Sequence, residues 1–166
     1  MSAIDDILAT AKLPEQTVTL CVRGDLLAQH AALTADLKVL GDGEMSLADP
    51  RHEIARQIVD LEAEMKATEV AFTFRALGRT AYRALVAAHP GPEGTRFNID
   101  TFSPALIAAS CHAPAMTPTQ VDRLFDVVNE GAVEVLFMAA YTVNEGLSRV
   151  PFSAVASELT QNSPPK

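Results

Sequence analysis

The sequence predicts a mainly α-helical domain with a small two-stranded antiparallel sheet, a helical hairpin inserted between the two strands, and a compact helical cluster after them. Three observations lead there. Residues 17–22 (TVTLCV) and 69–75 (EVAFTFR) alternate apolar and polar side chains with the period of a strand. Between them, apolar side chains recur at spacings of three and four in two matched runs. Beyond residue 76, capping signals and Pro/Gly breaks mark out a succession of short helices.

The chain opens with Ser2 and, three residues later, Asp5, the signature of a short capped helix over residues 3–11 that stops near Pro14. In the first strand, Val18, Leu20 and Val22 alternate with Thr17, Thr19 and Cys21. The period then changes. Leu26, His30, Leu33, Leu37 and Leu40 form a narrow seam of the coiled-coil kind, which Gly41 and Gly43 interrupt. Asp49 and Pro50 restart the helix as N-cap and first helical residue, and Ile54, Ile58, Leu61 and Met65 mirror the first seam. Two seams joined by a turn predict an antiparallel hairpin over residues 25–66.

Antiparallel helices bring their outer ends together, so the flanking strands are expected to pair. A two-stranded ribbon is marginal in water. The aromatic face of Phe72 and Phe74 must therefore be covered, by the following helices or by another chain.

The helical cluster is expected over residues 76–148. Its first helix, residues 77–88, ends at His89-Pro90. Ser103-Pro104 opens the next, with Phe102 and Ile107 placed as a hydrophobic staple. Thr117 and Gln120 form a capping box for the third, with Met116 and Val121 as its staple. That helix presents Val121, Leu124, Phe125 and Val128 on one face and ends at Asn129-Glu130-Gly131. The last carries a broad stripe from Val133 through Leu136, Phe137, Ala140, Tyr141 and Asn144 to Leu147. Residues 1–150 read as a single domain, and the Ser- and Pro-rich residues 151–166 as a flexible tail.

Composition narrows the function classes. With 48% hydrophobic and 20% charged residues among 166, the chain has room for a real core. Its 13 basic and 21 acidic side chains give a net charge of −8, which opposes long-range attraction to nucleic acid or an anionic membrane. The start, MSAIDDILATAK, lacks the basic and apolar regions of a signal peptide, and no run approaches the roughly 18 apolar residues of a spanning helix, so a cytosolic protein is expected. Cys21 and Cys111 lie far apart and are expected to be reduced thiols.

Candidate chemistry is sparse. Cys111-His112 is the one adjacent pair with nucleophile or metal character, yet it has no partners at ligand spacing and reads as a buried structural site. His30 is open to two readings, a pH-sensitive partner contact or a polar residue that sets the register of the seam. His52 and His89 read as surface residues near helix ends. The acids at Glu62, Glu64 and Glu69, and at Asp122, Asp126, Glu130 and Glu134, read as solvated faces. Arg75, Arg79 and Arg83 form a basic stripe that pairs within the molecule or reads an acidic partner. Asn144, on the buried face of the last helix, needs a hydrogen-bond partner and is expected either to cap a neighbouring helix or to lie at an interface. No catalytic, cofactor or metal residue is expected.

The order of these pieces, with FTFRAL on the second strand, a helix ending in AHP, the segment FNIDTFSPALIAAS, a capped helix, NEG, and a final helix ending in VN, resembles the tail assembly chaperones of long-tailed bacteriophages. The likeness covers the chain from residue 17 to 156. It implies a non-enzymatic protein of the infected host's cytoplasm, absent from the finished virion, that holds the tape measure protein and helps recruit tail tube protein. It also implies multivalent binding along one client, with self-association open. The tail anchors Phe152, Val155 and Leu159 and the exposed sheet edges are the expected partner contacts. In that family a frameshift often produces a longer product, and residues 163–166 are a place where slippery codons could lie. Two rival readings are a phage structural or connector protein retained in the virion, and a small enzyme or metal protein built around Cys111 and His112.

Overall fold

The computed structural model describes residues 2–41 and 49–146. Among them the chain runs α1 (Ala3–Thr10), β1 (Glu15–Cys21), α2 (Gly24–Val39), α3 (Pro50–Ala67), β2 (Glu69–Arg75), α4 (Arg79–Ala88), α5 (Ile99–Ser110), β3 (Cys111–Ala113), α6 (Pro118–Phe125) and α7 (Glu130–Glu145). The protein is mainly helical, with a small antiparallel sheet of three strands in the order β1-β2-β3.

The third strand corrects the two-stranded expectation. Cys111 reads in sequence as the end of an apolar helix, but the chain turns extended there and pairs with β2, Phe74 opposite Cys111 and Thr73 opposite Ala113. Pro114 follows at once, and a residue before proline is driven out of the helical region. Three residues are too few to display an alternation, so only the pairing reveals the strand.

In the β1–β2 ladder Val18 stands opposite Phe72 and Leu20 opposite Val70, and all four belong to or pack against the core. The other face is polar. There the Thr17 and Thr73 hydroxyls share a hydrogen bond of 3.0 Å, and Glu15 pairs with Arg75 at 2.6 Å. A sheet with one apolar face must have it covered. α7 lies against β1 and β2, and α5 against β2, β3, α6 and α7. Phe72 and Phe74 are thereby buried within the chain.

The core centres on Phe74, Phe102, Leu106, Ile107, Val121 and Leu136, all fully buried. Each such side chain contributes about 1.5–3 kcal/mol on burial. Phe102 stacks on Phe97 at 4.2 Å and meets Tyr82 and His89 edge-on at 6.3 and 6.2 Å. His89, which reads as a surface residue, is in fact half-buried against this cluster.

α5 begins earlier than Ser103-Pro104 suggests. The Asn98 side chain accepts from the Asp100 amide at 3.0 Å and caps the helix, leaving Pro104 inside it. Proline there removes one amide donor from the helical ladder. Asn129, read as part of a helix stop, is the cap of α7, accepting from the Ala132 amide at 2.9 Å. An asparagine before a helix and one after a helix look alike in sequence, because both exploit the same short polar side chain.

α2 and α3 pack chiefly on each other. His30 meets Glu62 at 2.9 Å, while Arg51 donates to the Gly41 carbonyl at 2.8 Å, so contacts descend along one helix as they ascend the other. Leu26 and Leu61 are buried, but Leu33, Leu37, Ile54, Ile58 and Met65 are only half-buried and Leu40 is exposed. Two helices alone cannot enclose a seam on all sides. α1 has no buried residue, and its Ile4, Ile7 and Leu8 face solvent.

Candidate binding surface

Two open apolar grooves flank α6 and meet at Met116. The first, of 620 Å³, lies between α4, α5 and α6 over Leu85, Pro104, Ala108 and Met116. His89, Asp100 and Asp122 also line it. The second, of 580 Å³, runs between the sheet and α6, over Val70, Phe72, Met116 and Leu124. Val127, at the end of α6, lines it while 74% exposed.

Local sequence chemistry explains the grooves. The box at Thr117 is closed at both ends, with the Gln120 carbonyl oxygen accepting from the Thr117 amide at 2.9 Å and the Thr117 hydroxyl oxygen accepting from the Gln120 amide at 3.3 Å. It fixes where α6 starts, with Val121 driven into the core and Met116 left half-buried at the junction. Small residues on the facing side of α5, Ala105, Ala108 and Ala109, leave the first groove unfilled. Methionine adapts to varied apolar partners because it is unbranched and polarizable.

Several residues singled out in sequence are separated by the fold. Cys111 is buried, with its thiol donating to the Pro114 carbonyl at 3.3 Å, and burial pushes its pKa up. His112, the next residue of β3, is exposed and lies 3.9 Å from the Glu15 carboxylate. The strand alternation sends the two to opposite faces, so they do not form a dyad. His30 joins α2 to α3 through Glu62, and His52 is exposed. Among the described residues no group of three His, Cys, Asp or Glu side chains is placed to hold a metal ion. No described helix is long and apolar enough to cross a membrane. Phe152, Val155 and Leu159 lie outside the described residues.

The basic stripe divides. Arg75 is held by Glu15 across the sheet, whereas Arg79 and Arg83 line a separate pocket of 360 Å³ with Arg96 and Tyr82. Arg96 pairs with Glu145 at 2.6 Å and lies over the Tyr82 ring, 5.7 Å from its centre. Burial, then the nearby Glu145 carboxylate, raises the Tyr82 pKa, yet its hydroxyl makes no hydrogen bond of ordinary geometry.

Met116, Leu124 and Val127 were not anticipated as surface-binding residues. Val127 lies just beyond the end of α6, where the helical period no longer tells a covered side chain from an exposed one. Comparison with protein-family models, curated proteins and solved structures finds no match for the chain.

Proposed function

We propose that this protein is a tail assembly chaperone of a long-tailed bacteriophage, which binds the tape measure protein in the host cytoplasm, keeps it soluble and promotes tail tube assembly around it. The observation that carries the reading is the pair of open apolar grooves meeting at Met116. Grooves of this kind receive the apolar stripe of an amphipathic helix. A tape measure is long and largely helical, and its exposed stripes would drive aggregation. The acids Asp122, Asp126, Glu130 and Glu134 lie exposed on α6 and α7 and would keep a coated client soluble.

Binding of many copies along one client needs only modest affinity at each groove. No nucleotide, metal or catalytic step enters this mechanism. The test is co-expression with a tape measure protein of a long-tailed bacteriophage. The wild-type chain is expected to keep that client soluble and to co-purify at a ratio well above one copy per client. Met116→Glu combined with Val127→Glu should abolish both effects while the protein stays folded by circular dichroism. Equal insolubility of the client with and without the wild-type chain overturns the proposal. Mass spectrometry of purified virions separates it from a structural protein retained in the particle.

A further inference from the structure

The start of α4 gathers positive side chains where the helix is already positive. The N-terminus of a helix carries partial positive charge and favours acids. α4 has no acid in its first turn, and its N-cap, Gly78, supplies no side-chain cap. Arg79 and Arg83 instead line a pocket of 360 Å³ there, and neither has an ion-pair partner among the described residues. Arg96 lines it too, and the one carboxylate on the wall, Glu145, is engaged with Arg96 at 2.6 Å. In a chain of net charge −8, two guanidinium groups are left side by side on one pocket without a counter-charge.

Tyr82 supplies a second, independent observation. It is 7% exposed and lines the same pocket. Its hydroxyl is buried and has no hydrogen-bond partner among the described residues. Arg96 and Glu145, both on the pocket wall, are the charged groups that act on it, which places the hydroxyl toward the pocket. Burial and Glu145 raise its pKa, so the phenol stays neutral and keeps a proton to donate. A buried polar group without a partner is costly, and native structures rarely keep one unless something else satisfies it.

These groups share one chemical preference. A guanidinium presents a planar fork of N–H donors that matches the paired oxygens of a carboxylate or a phosphate. A neutral phenol adds an O–H donor. The pocket wall also includes Leu13, Leu77 and Val143. A bare ion would leave these side chains against water, whereas a ligand with an apolar stem covers them.

We propose that the pocket at the start of α4 is a binding site for an oxyanion carried on an apolar stem, a carboxylate or a phosphate monoester. Arg79 and Arg83 grip the oxyanion, and the Tyr82 hydroxyl donates to it from the buried side. Arg96, half exposed above the Tyr82 ring, turns aside to admit the ligand to that hydroxyl. The site shares no lining residue with the grooves at Met116, so the inference does not depend on which client they take.

Isothermal titration calorimetry on the full chain tests it, with phenyl phosphate, phenylacetate and inorganic phosphate as probes at matched low ionic strength. Phenyl phosphate and phenylacetate are expected to bind, more weakly as salt is raised, and the tighter of the two tells whether the site prefers a phosphoryl or a carboxyl group. Inorganic phosphate should bind about tenfold more weakly than phenyl phosphate, because it leaves the apolar wall uncovered. Arg79→Gln with Arg83→Gln should weaken binding by about tenfold or more, with an unchanged circular dichroism spectrum. Tyr82→Phe separates a ligand donor from a merely structural hydroxyl. It should weaken binding without lowering the thermal midpoint of the free protein, since it removes a group that has no partner there. The proposal is overturned if neither stemmed probe binds, if inorganic phosphate binds as tightly as phenyl phosphate, or if affinity is indifferent to the arginine changes. A Tyr82→Phe protein that is less stable yet binds as well as the wild type overturns it too.

Discussion

The side-chain oxygen of Asn144 accepts the backbone N–H of Leu77 at 2.7 Å, tying the last turn of α7 to the link between β2 and α4. The amide nitrogen of the same residue donates to the Ser110 hydroxyl at 3.0 Å and to the Ala140 carbonyl at 2.7 Å. One half-buried side chain thus joins the sheet's exit, the end of α5 and α7. The sequence left Asn144 between a helix cap and an interface. It does not cap α4, since the amide that it satisfies precedes that helix rather than lying in its first turn.

Asn144→Ala removes the acceptor of the Leu77 amide and strands a half-buried donor. A loss of about 1–3 kcal/mol in unfolding free energy is expected, measured by urea denaturation with an unchanged slope. Asn144→Asp should keep that acceptor but lose the donations to Ser110 and Ala140, and so should also be less stable than the wild type.

Gly91 stands where a side chain has no room. A Cβ there would lie 2.5 Å from the Phe97 carbonyl oxygen and 2.2 Å from the Thr95 hydroxyl. The loop holds Phe97 on Phe102, so relief of the clash must move a ring that stacks on the core. Gly91→Ala is expected to cost about 1–3 kcal/mol, seen as a lower thermal midpoint. Gly24→Ala, at the first residue of α2 where a Cβ meets nothing within 4 Å, serves as the control and should not lower the midpoint.

Core and arm should respond differently to truncation. Leu106→Ala opens a cavity at a fully buried site and is expected to cost about 2–5 kcal/mol. Leu40→Ala, at a residue 45% exposed, should be close to neutral. Leu33→Ala, half-buried in the seam, should fall between them. Comparable losses at Leu40 and Leu106 would show that the arm is enclosed by something beyond α3.

The start of α3 is acid-sensitive. Asp49 caps the helix through the Arg51 amide at 2.9 Å and is held by the Arg51 guanidinium, which lowers its pKa from 3.8 to about 2. A carboxylate whose pKa is lower in the folded state stabilises fully above its unfolded pKa, and the contribution is lost as pH falls through the folded value. The effect is therefore present above about pH 4 and disappears toward pH 2. Carboxyl chemical shifts followed by NMR should report the low Asp49 midpoint, and Asp49→Asn should remove this part of the acid dependence.

Much of the architecture is written in local patterns. Alternation at Val18, Leu20, Phe72 and Phe74 specifies two strands and their buried face. The chemistry of Asp49-Pro50 and of Thr117 with Gln120 specifies two helix starts, because capping is satisfied within a few residues of chain. What is missing from such patterns is anything settled by a distant partner. The strand at Cys111 and the turn of His112 away from Cys111 depend on where β2 stands.

The grooves beside Met116 and the arginine pocket beside Tyr82 belong to the second kind. The sequence by itself determined a mainly helical, acidic chain with strands that pair, since period and charge are properties of neighbouring residues. Only the tertiary structure decided which apolar side chains remain uncovered and which arginines remain unpaired. A surface is made by residues far apart in the chain, and its vacancies depend on how all the elements fill space together.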